Sequence, residues 1–110
     1  MAVLVNAGSY SAAEFFAAAL NDYDAAVIVG EQTSGKGHFQ NTFELSDGSA
    51  VSLSVGKYYT PKGASMATVG ITPDIVVEVD DETFSAIYYG NLDPEEDPQI
   101  QEAMKLLEGY

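Results

Sequence analysis

Residues 1–30 read MAVLVNAGSYSAAEFFAAALNDYDAAVIVG, and this stretch decides the fold. Met1 to Asn6 contains an apolar run of strand length, and Ala25 to Gly30 is a second one. Between them lies an alanine-rich segment that starts at Ser11 and has Glu14 in the capping-box position of a helix. Strand, helix and strand in this order predict a parallel pair with a right-handed crossover. The predicted fold class is α/β.

The sequence after residue 30 predicts a loop, a hairpin and two helices. Glu31 to Gly37 is polar and contains glycine, which is typical of an exposed loop. Phe39 to Leu45 and Val51 to Tyr59 alternate around a Ser-Asp-Gly-Ser turn and predict a β-hairpin. The remaining predicted elements are a short strand within Ile71 to Val79, a short helix from about Thr83 to Tyr89, and a terminal helix over Pro98 to Leu107.

Helical spacing also predicts which faces pack. The first helix should pack on the sheet through Phe15, Phe16, Ala19 and Leu20. The last helix should pack through Ile100, Met104 and Leu107. With 110 residues and 46% apolar content, the chain suffices for one core, so we expect a single globular unit.

Composition excludes several classes of partner. Seventeen acidic residues stand against four basic ones, and the formal net charge is -13 at pH 7. Such a charge repels nucleic acid phosphates and anionic membrane surfaces, so we expect neither as a partner. The chain has no Cys and one His, which excludes thiolate ligands and argues against a zinc site. We therefore predict no metal and no cofactor.

Ser11 is a candidate nucleophile. It follows a turn of small residues and begins a helix, where free backbone N–H groups and the helix dipole face an incoming oxyanion. The alternative is that Ser11 only caps the helix, because capping serines greatly outnumber catalytic ones. Position alone leaves both readings open.

Lys36 is a candidate general base. It lies between Gly35 and Gly37, which would let the backbone bend closely around a partner or substrate. An amine can accept a proton only when it is neutral, so such a lysine must be shielded from water. An ordinary surface lysine is the alternative. His38 is a second candidate base, although no acid in its strand is placed to orient the imidazole.

A phosphate-binding motif overlaps the same segment. Gly30, Gly35 and Lys36 match the start of a P-loop, G-x-x-x-x-G-K. However, Gly37 replaces the Ser or Thr that should hold Mg²⁺, and residues 38–45 have strand periodicity where a helix is needed. Nucleotide binding is therefore not predicted.

Taken together, the motifs resemble the carboxyl-terminal processing peptidases, also called tail-specific proteases. Family members typically carry Asn-Gly-Gly-Ser-Ala-Ser-Ala-Ser-Glu after a strand, and residues 6–14 here read NAGSYSAAE. A second family block reads Val-Gly-Glu-x-Thr-x-Gly-Lys-Gly-x-x-Gln, and residues 29–40 reproduce every fixed position. The later segments LSDGS, YYTP, GITPD and DPQIQ recur in the family too.

The resemblance implies a serine peptidase with a Ser-Lys dyad. Ser11 would be the nucleophile, Lys36 its base and Gln40 the residue that orients Lys36, while the Ala12 N–H would contribute to the oxyanion hole. The implied fold is the ClpP/crotonase-like α/β core, here a parallel strand-helix-strand unit with a β-hairpin and a C-terminal helix. The implied partners are protein or peptide substrates with their C-terminal tails.

Departures from the family pattern leave these groups in place. Ala7 replaces a Gly, Tyr10 a small residue and Ala13 a Ser, and Ala64 stands where an Arg is common. Tyr10, beside the nucleophile, could narrow the site.

The chain begins as a buried strand with no turn ahead of it, so we expect residues 1–110 to be the C-terminal portion of a catalytic domain. An upstream core segment with a second oxyanion donor, and a PDZ domain, would be absent. We therefore expect little activity from these residues alone. Family members usually act outside the cytoplasm, so the resemblance implies an extracytoplasmic location. The sequence does not decide whether the chain forms a homo-oligomer or a swapped dimer. The alternative function is a non-catalytic binding or scaffold domain of the same fold.

Overall fold

A computed structural model describes residues 1–109 and confirms the α/β class. Its elements, in chain order, are β1 (Ala2–Val5), α1 (Ala12–Asp22), β2 (Val27–Gly30), β3 (His38–Glu44), β4 (Ala50–Lys57), β5 (Ile75–Val76), α2 (Asp81–Tyr88) and α3 (Pro98–Glu108). Within residues 1–109, no helix is long and apolar enough to cross a membrane.

β1, β2 and β5 form one parallel sheet, in which β2 lies between the other two strands. Val3 pairs with Ile28, and α1 connects the two strands, which confirms the predicted crossover unit. The strand predicted within residues 71–79 is much shorter, because only Ile75 and Val76 pair with β2. Upstream of this pair, Pro73 has no N–H to give to a ladder, and the Ile71 N–H is bound to a side chain instead.

The centre of the core consists of Val5, Ala17 and Ile28, with Val3 and Ile71 packed against it. Burial of apolar area at this α1–sheet contact is the main force that holds the crossover together.

The predicted packing stripe of α1 is wrong for its aromatic residues, because Phe15 and Phe16 are 38% and 64% exposed. Its other two members, Ala19 and Leu20, are half-buried. The helix instead buries Glu14, Ala17 and Ala18. Alanines have no side chain beyond Cβ, so this face lets the helix backbone approach the sheet closely. Small residues were therefore the packing face, and the aromatic residues were not.

The stripe predicted for the last helix is wrong at Met104 and Leu107, whereas its third residue, Ile100, is half-buried. In α3 the buried residues are Gln99 and Ala103, whereas Met104 and Leu107 are each 48% exposed. The Gln99 side chain donates to the Val77 carbonyl at 3.0 Å. This bond ties α3 to the chain just after β5, and α3 lies against β1 and β2.

The predicted hairpin is confirmed as antiparallel β3 and β4, with an irregularity between Phe39 and Gln40. Tyr58 anchors its base, since its ring centroid lies 5.8 Å from that of Phe15 and 5.4 Å from that of Phe39. The Tyr58 N–H also donates to the Gly37 carbonyl at 2.7 Å. The hairpin thus begins directly where the loop of Lys36 ends.

Candidate active site

Ser11 occupies a sharp turn between β1 and α1. Its φ of 57° and ψ of -119° belong to a region that non-glycine residues rarely adopt. The turn before it is fixed by Asn6, whose side-chain oxygen accepts the Gly8 N–H at 2.8 Å. This bond helps to keep the backbone of Ser11 in its strained conformation. Ser11 is half-buried and lies directly before the first residue of α1.

Glu14 joins the turn of Ser11 to the loop of Lys36. The Glu14 side chain is fully buried, and its Oε2 accepts the Ser11 N–H at 2.8 Å and the Lys36 N–H at 3.0 Å. These two nitrogen atoms are therefore no farther apart than the sum of those distances. Oε1 accepts the Gly35 N–H at 2.7 Å and the Thr33 hydroxyl at 2.5 Å. All four partners donate, so both carboxyl oxygens act only as acceptors.

A second contact joins the same two segments, since the Ser34 N–H donates to the Ser9 carbonyl at 3.1 Å. On the other side of the loop, Thr33 Oγ1 accepts the Ile71 N–H at 2.7 Å. Thr33 is itself buried. The loop is thus fixed to the turn before α1 by a backbone bond, and to the chain ahead of β5 through the Thr33 side chain.

The glycines beside Lys36 have a packing role that the sequence interpretation did not include. A Cβ on Gly37 would lie 2.4 Å from the Ala67 nitrogen, and one on Gly35, whose φ is 78°, would lie 2.9 Å from the Thr68 carbonyl carbon. Both glycines therefore admit the backbone of residues 66–70 against the loop. In the described residues they serve this contact within the chain, whereas the sequence predicted a close bend around a partner or a substrate.

The Lys36 side chain extends from this fixed backbone towards the turn of residues 6–11, which contains Ser11. Its Nζ lies 5.5 Å from the ring centroid of Tyr10, the residue before Ser11. Lys36 is exposed, although the sequence argument requires a shielded amine. The structure therefore brings the base candidate to the turn of the nucleophile candidate without enclosing it.

The other predicted site residues are Ala12, which lies in α1, and His38 and Gln40, which lie in β3 of the hairpin. Ala12 is the first residue of α1, so its N–H has no acceptor one turn back in the helix. His38 is half-buried and opens β3. The Gln40 amide donates to Ser54 Oγ at 3.2 Å and to the His38 carbonyl at 3.3 Å. Its described bonds therefore run within the hairpin, and neither ends on Lys36.

The connecting role of Glu14 is what the sequence interpretation missed. It assigned Glu14 only to a capping box, and the Glu14 half of that box is present as the bond from the Ser11 N–H. One signal was available: Glu14 is the single charged residue between Ser11 and Leu20. If such an otherwise uncharged helical segment packs against the core, an acid within it is buried and needs hydrogen-bond donors.

Asp22 fixes the far end of α1. Its Oδ2 accepts the Lys62 N–H at 2.7 Å. The pKa of the Asp22 carboxyl is lowered from its ordinary value of 3.8, chiefly by the hydrogen bond from the Thr60 hydroxyl and next by the Lys62 N–H. This contact holds the 60–64 turn, which leads into the segment that packs against Gly35 and Gly37.

The sequence model of peptidase family S41 matches residues 1–77, which hold the Ser11 turn and the Lys36 loop. The chain belongs to peptidase family S41. Because the matched residues cover β1 to β5, α2 and α3 lie beyond the part that the S41 model describes.

Curated relatives of this S41 chain are processing proteases. It is 43% identical, over 99% of its length, to a carboxyl-terminal-processing protease of Synechocystis sp., of which it covers 24%. It is 50% identical, over 67% of its length, to the chloroplastic carboxyl-terminal-processing peptidase 2 of Arabidopsis thaliana, of which it covers 14%. The relatives are thus both bacterial and chloroplastic, and the chain spans a quarter or less of these two.

Solved structures support the same fold. A photosystem II D1 C-terminal processing protease superposes with a TM-score of 0.68 and 44% identity, over 70% of this chain and 20% of that one. The S41 chain therefore has the mixed α/β fold of these proteases, as the ClpP/crotonase-like expectation required.

Glu14→Gln should destabilise the chain by about 2 kcal/mol or more, because an NH₂ group would replace one acceptor and face two donors in a buried site. The free energy of unfolding from chemical denaturation is the measurement. Glu44→Gln, at an exposed position at the end of β3, is the matched control and should stay within about 0.5 kcal/mol of the parent. Equal losses in both variants would contradict the role of Glu14.

Asp22→Asn should flatten the acid side of the stability profile. Because the folded-state pKa of Asp22 lies below 3.8, its carboxylate contributes stability that is fully present above 3.8 and is lost as the pH falls through the folded-state value. Unfolding free energies measured from neutral pH down to acid should therefore fall less steeply in the variant. Parallel profiles for parent and variant would show that the contact is not formed.

Proposed function

We propose that this S41 chain is the C-terminal portion of the catalytic domain of a serine endopeptidase that cleaves proteins near their C-termini. Ser11 is the nucleophile, Lys36 the general base and Gln40 the residue that orients Lys36. One observation carries the proposal: Glu14 Oε2 binds the backbone N–H of Ser11 and that of Lys36. Nucleophile and base therefore share one anchor.

The proposed reaction is acyl transfer through a covalent intermediate. Neutral Lys36 Nζ takes the proton of the Ser11 hydroxyl as Oγ bonds to the substrate carbonyl carbon. The Ala12 N–H, at the start of α1, donates to the oxyanion. The protonated amine returns its proton to the leaving nitrogen as the peptide bond breaks. Water, deprotonated by the same amine, then attacks the acyl carbon, and the amine gives that proton to Ser11 Oγ as the ester bond breaks.

Two features of the structure must change when substrate binds: the exposure of Lys36 and the orientation of the Gln40 side chain. Lys36 is exposed, and a substrate chain lying over Ser11 would exclude water from the amine and favour its neutral form. The Gln40 amide is bound to Ser54, so orientation of Lys36 requires this side chain to turn away from the hairpin. Both changes belong to the substrate-bound state in this proposal.

The proposed substrates are proteins whose C-terminal tails reach the Ser11 turn. A net charge of -13 favours neutral or basic tails over acidic ones. An upstream core segment would supply a second oxyanion donor, and a PDZ domain would bind the tail. Without them, residues 1–110 should turn over little substrate, because loss of one oxyanion donor commonly costs about 10²- to 10³-fold in rate. We propose an extracytoplasmic location, in line with the family resemblance.

The test is made in the complete natural gene product, with a peptide that ends in apolar residues. Ser11→Ala and Lys36→Ala should each lower kcat/KM by about 10³-fold or more. Lys36→Arg should be equally inactive, because a guanidinium keeps the charge but cannot take a proton. Lys57→Ala, at an exposed position in β4, is the matched control and should retain activity.

Each variant can refute a different part of the proposal. Turnover in Ser11→Ala would exclude Ser11 as the nucleophile. Turnover in Lys36→Arg would mean that Lys36 contributes charge and not proton transfer.

A further inference from the structure

The ring of Tyr10 lies against the amine that the proposed function assigns as the base. Its centroid is 5.5 Å from Lys36 Nζ, within the range in which a cation is attracted to an aromatic face. Tyr10 is 58% exposed, so the core does not require this ring in its place. The Tyr10 ring therefore contributes to the surroundings of Lys36 and not to the packing of the core.

Both partners in this contact extend from fixed backbone. The Tyr10 carbonyl accepts the Ala13 N–H at 3.2 Å, which secures Tyr10 at the start of α1. The Lys36 N–H is secured by Glu14 at 3.0 Å. Because both backbones are held, the ring and the amine meet with little additional loss of main-chain freedom.

The attraction is specific for the charged form of the amine. An aromatic quadrupole stabilises an ammonium group, and a neutral amine gains little from it. The ring therefore holds the Lys36 ammonium beside the turn that contains Ser11 in the resting state.

Few other titratable groups bear on this amine from the neighbouring elements. On α1, the Glu14 carboxyl is occupied by four donors, one of which is the Lys36 N–H. On β3 the nearest is His38, and residues 66–70, which pack against the loop, have no titratable side chain. From the other strand of the hairpin, Lys57 pairs with His38, and the Tyr58 N–H donates to the Gly37 carbonyl just after β4. The Tyr10 ring is the group that lies against the amine itself.

We propose that Tyr10 is a positioning residue for Lys36, and that its ring face holds the resting ammonium beside the turn that contains Ser11. This inference rests on the proposed function, since it concerns the same base. It predicts that the effect depends on the ring and not on the hydroxyl.

The test is a series of side chains at one position, with kcat/KM measured against pH in the complete gene product. Tyr10→Leu removes the ring, and the acid limb of the profile should move to lower pH by about 0.5 unit. Tyr10→Phe keeps the ring and should leave the limb in place. Tyr10→Trp has the stronger quadrupole and should move it to higher pH. Tyr23→Leu, a change at the exposed end of α1, is the matched control and should leave it unchanged.

The contact itself is tested by NMR on the present chain, independently of activity. The ε-methylene protons of Lys36 should lie upfield of those of the exposed Lys57 and Lys62, because they sit over a ring. The displacement should vanish in Tyr10→Leu and persist in Tyr10→Phe. Coincident lysine signals in the parent would overturn the proposal.

The outcomes separate the two hypotheses. If Lys36→Arg retains turnover, the proposed function itself fails. If Lys36→Arg is inactive but Tyr10→Leu has the acid limb of the parent, Lys36 is the base and the proposed role of Tyr10 is wrong. A change in KM alone in Tyr10→Leu would likewise overturn it, since that result indicates a steric effect on substrate.

Discussion

The buried carboxyl group of Glu14 is the contact on which the rest of the site depends. It lies in the first turn of α1, yet it binds the N–H groups of Gly35 and Lys36 from a different part of the chain. A buried acid without partners would cost several kcal/mol, so the helix is stable here only if the loop supplies donors. The loop in turn has no regular ladder to satisfy its N–H groups. Each segment thus needs the other.

This dependence explains why strain persists at Ser11. A non-glycine residue with a φ of 57° is costly, and it stays there because Glu14 holds its N–H while the preceding turn is fixed by Asn6. The same carboxyl group fixes the backbone of Lys36. A single contact between a helix and a loop therefore stabilises the fold, strains the nucleophile candidate and sets the position of the base candidate.

Patterns along the chain predicted the elements well, because strand alternation, the crossover and the hairpin are local properties. The packing faces were predicted poorly: Phe16 and Met104 are largely exposed, while Ala17 and Gln99 are buried. A prediction from apolar spacing assigns the largest apolar side chains to the packing face. A helix that approaches a sheet closely instead packs through alanine, because alanine has no side chain beyond Cβ. The site motifs were recognisable in sequence. The Glu14 contact was not, because it joins segments far apart in the chain.

Amide hydrogen exchange of the folded chain tests the central claim most directly. Ser11, Gly35 and Lys36 lie outside regular strands and helix interiors, and a solvated turn or loop would leave their amides to exchange at nearly unprotected rates. All three amides should be protected, and Glu14→Ala, which removes both acceptor oxygens, should remove the protection of all three together. Unprotected amides in the parent, or protection that survives Glu14→Ala in a chain that stays folded, would contradict the role of Glu14.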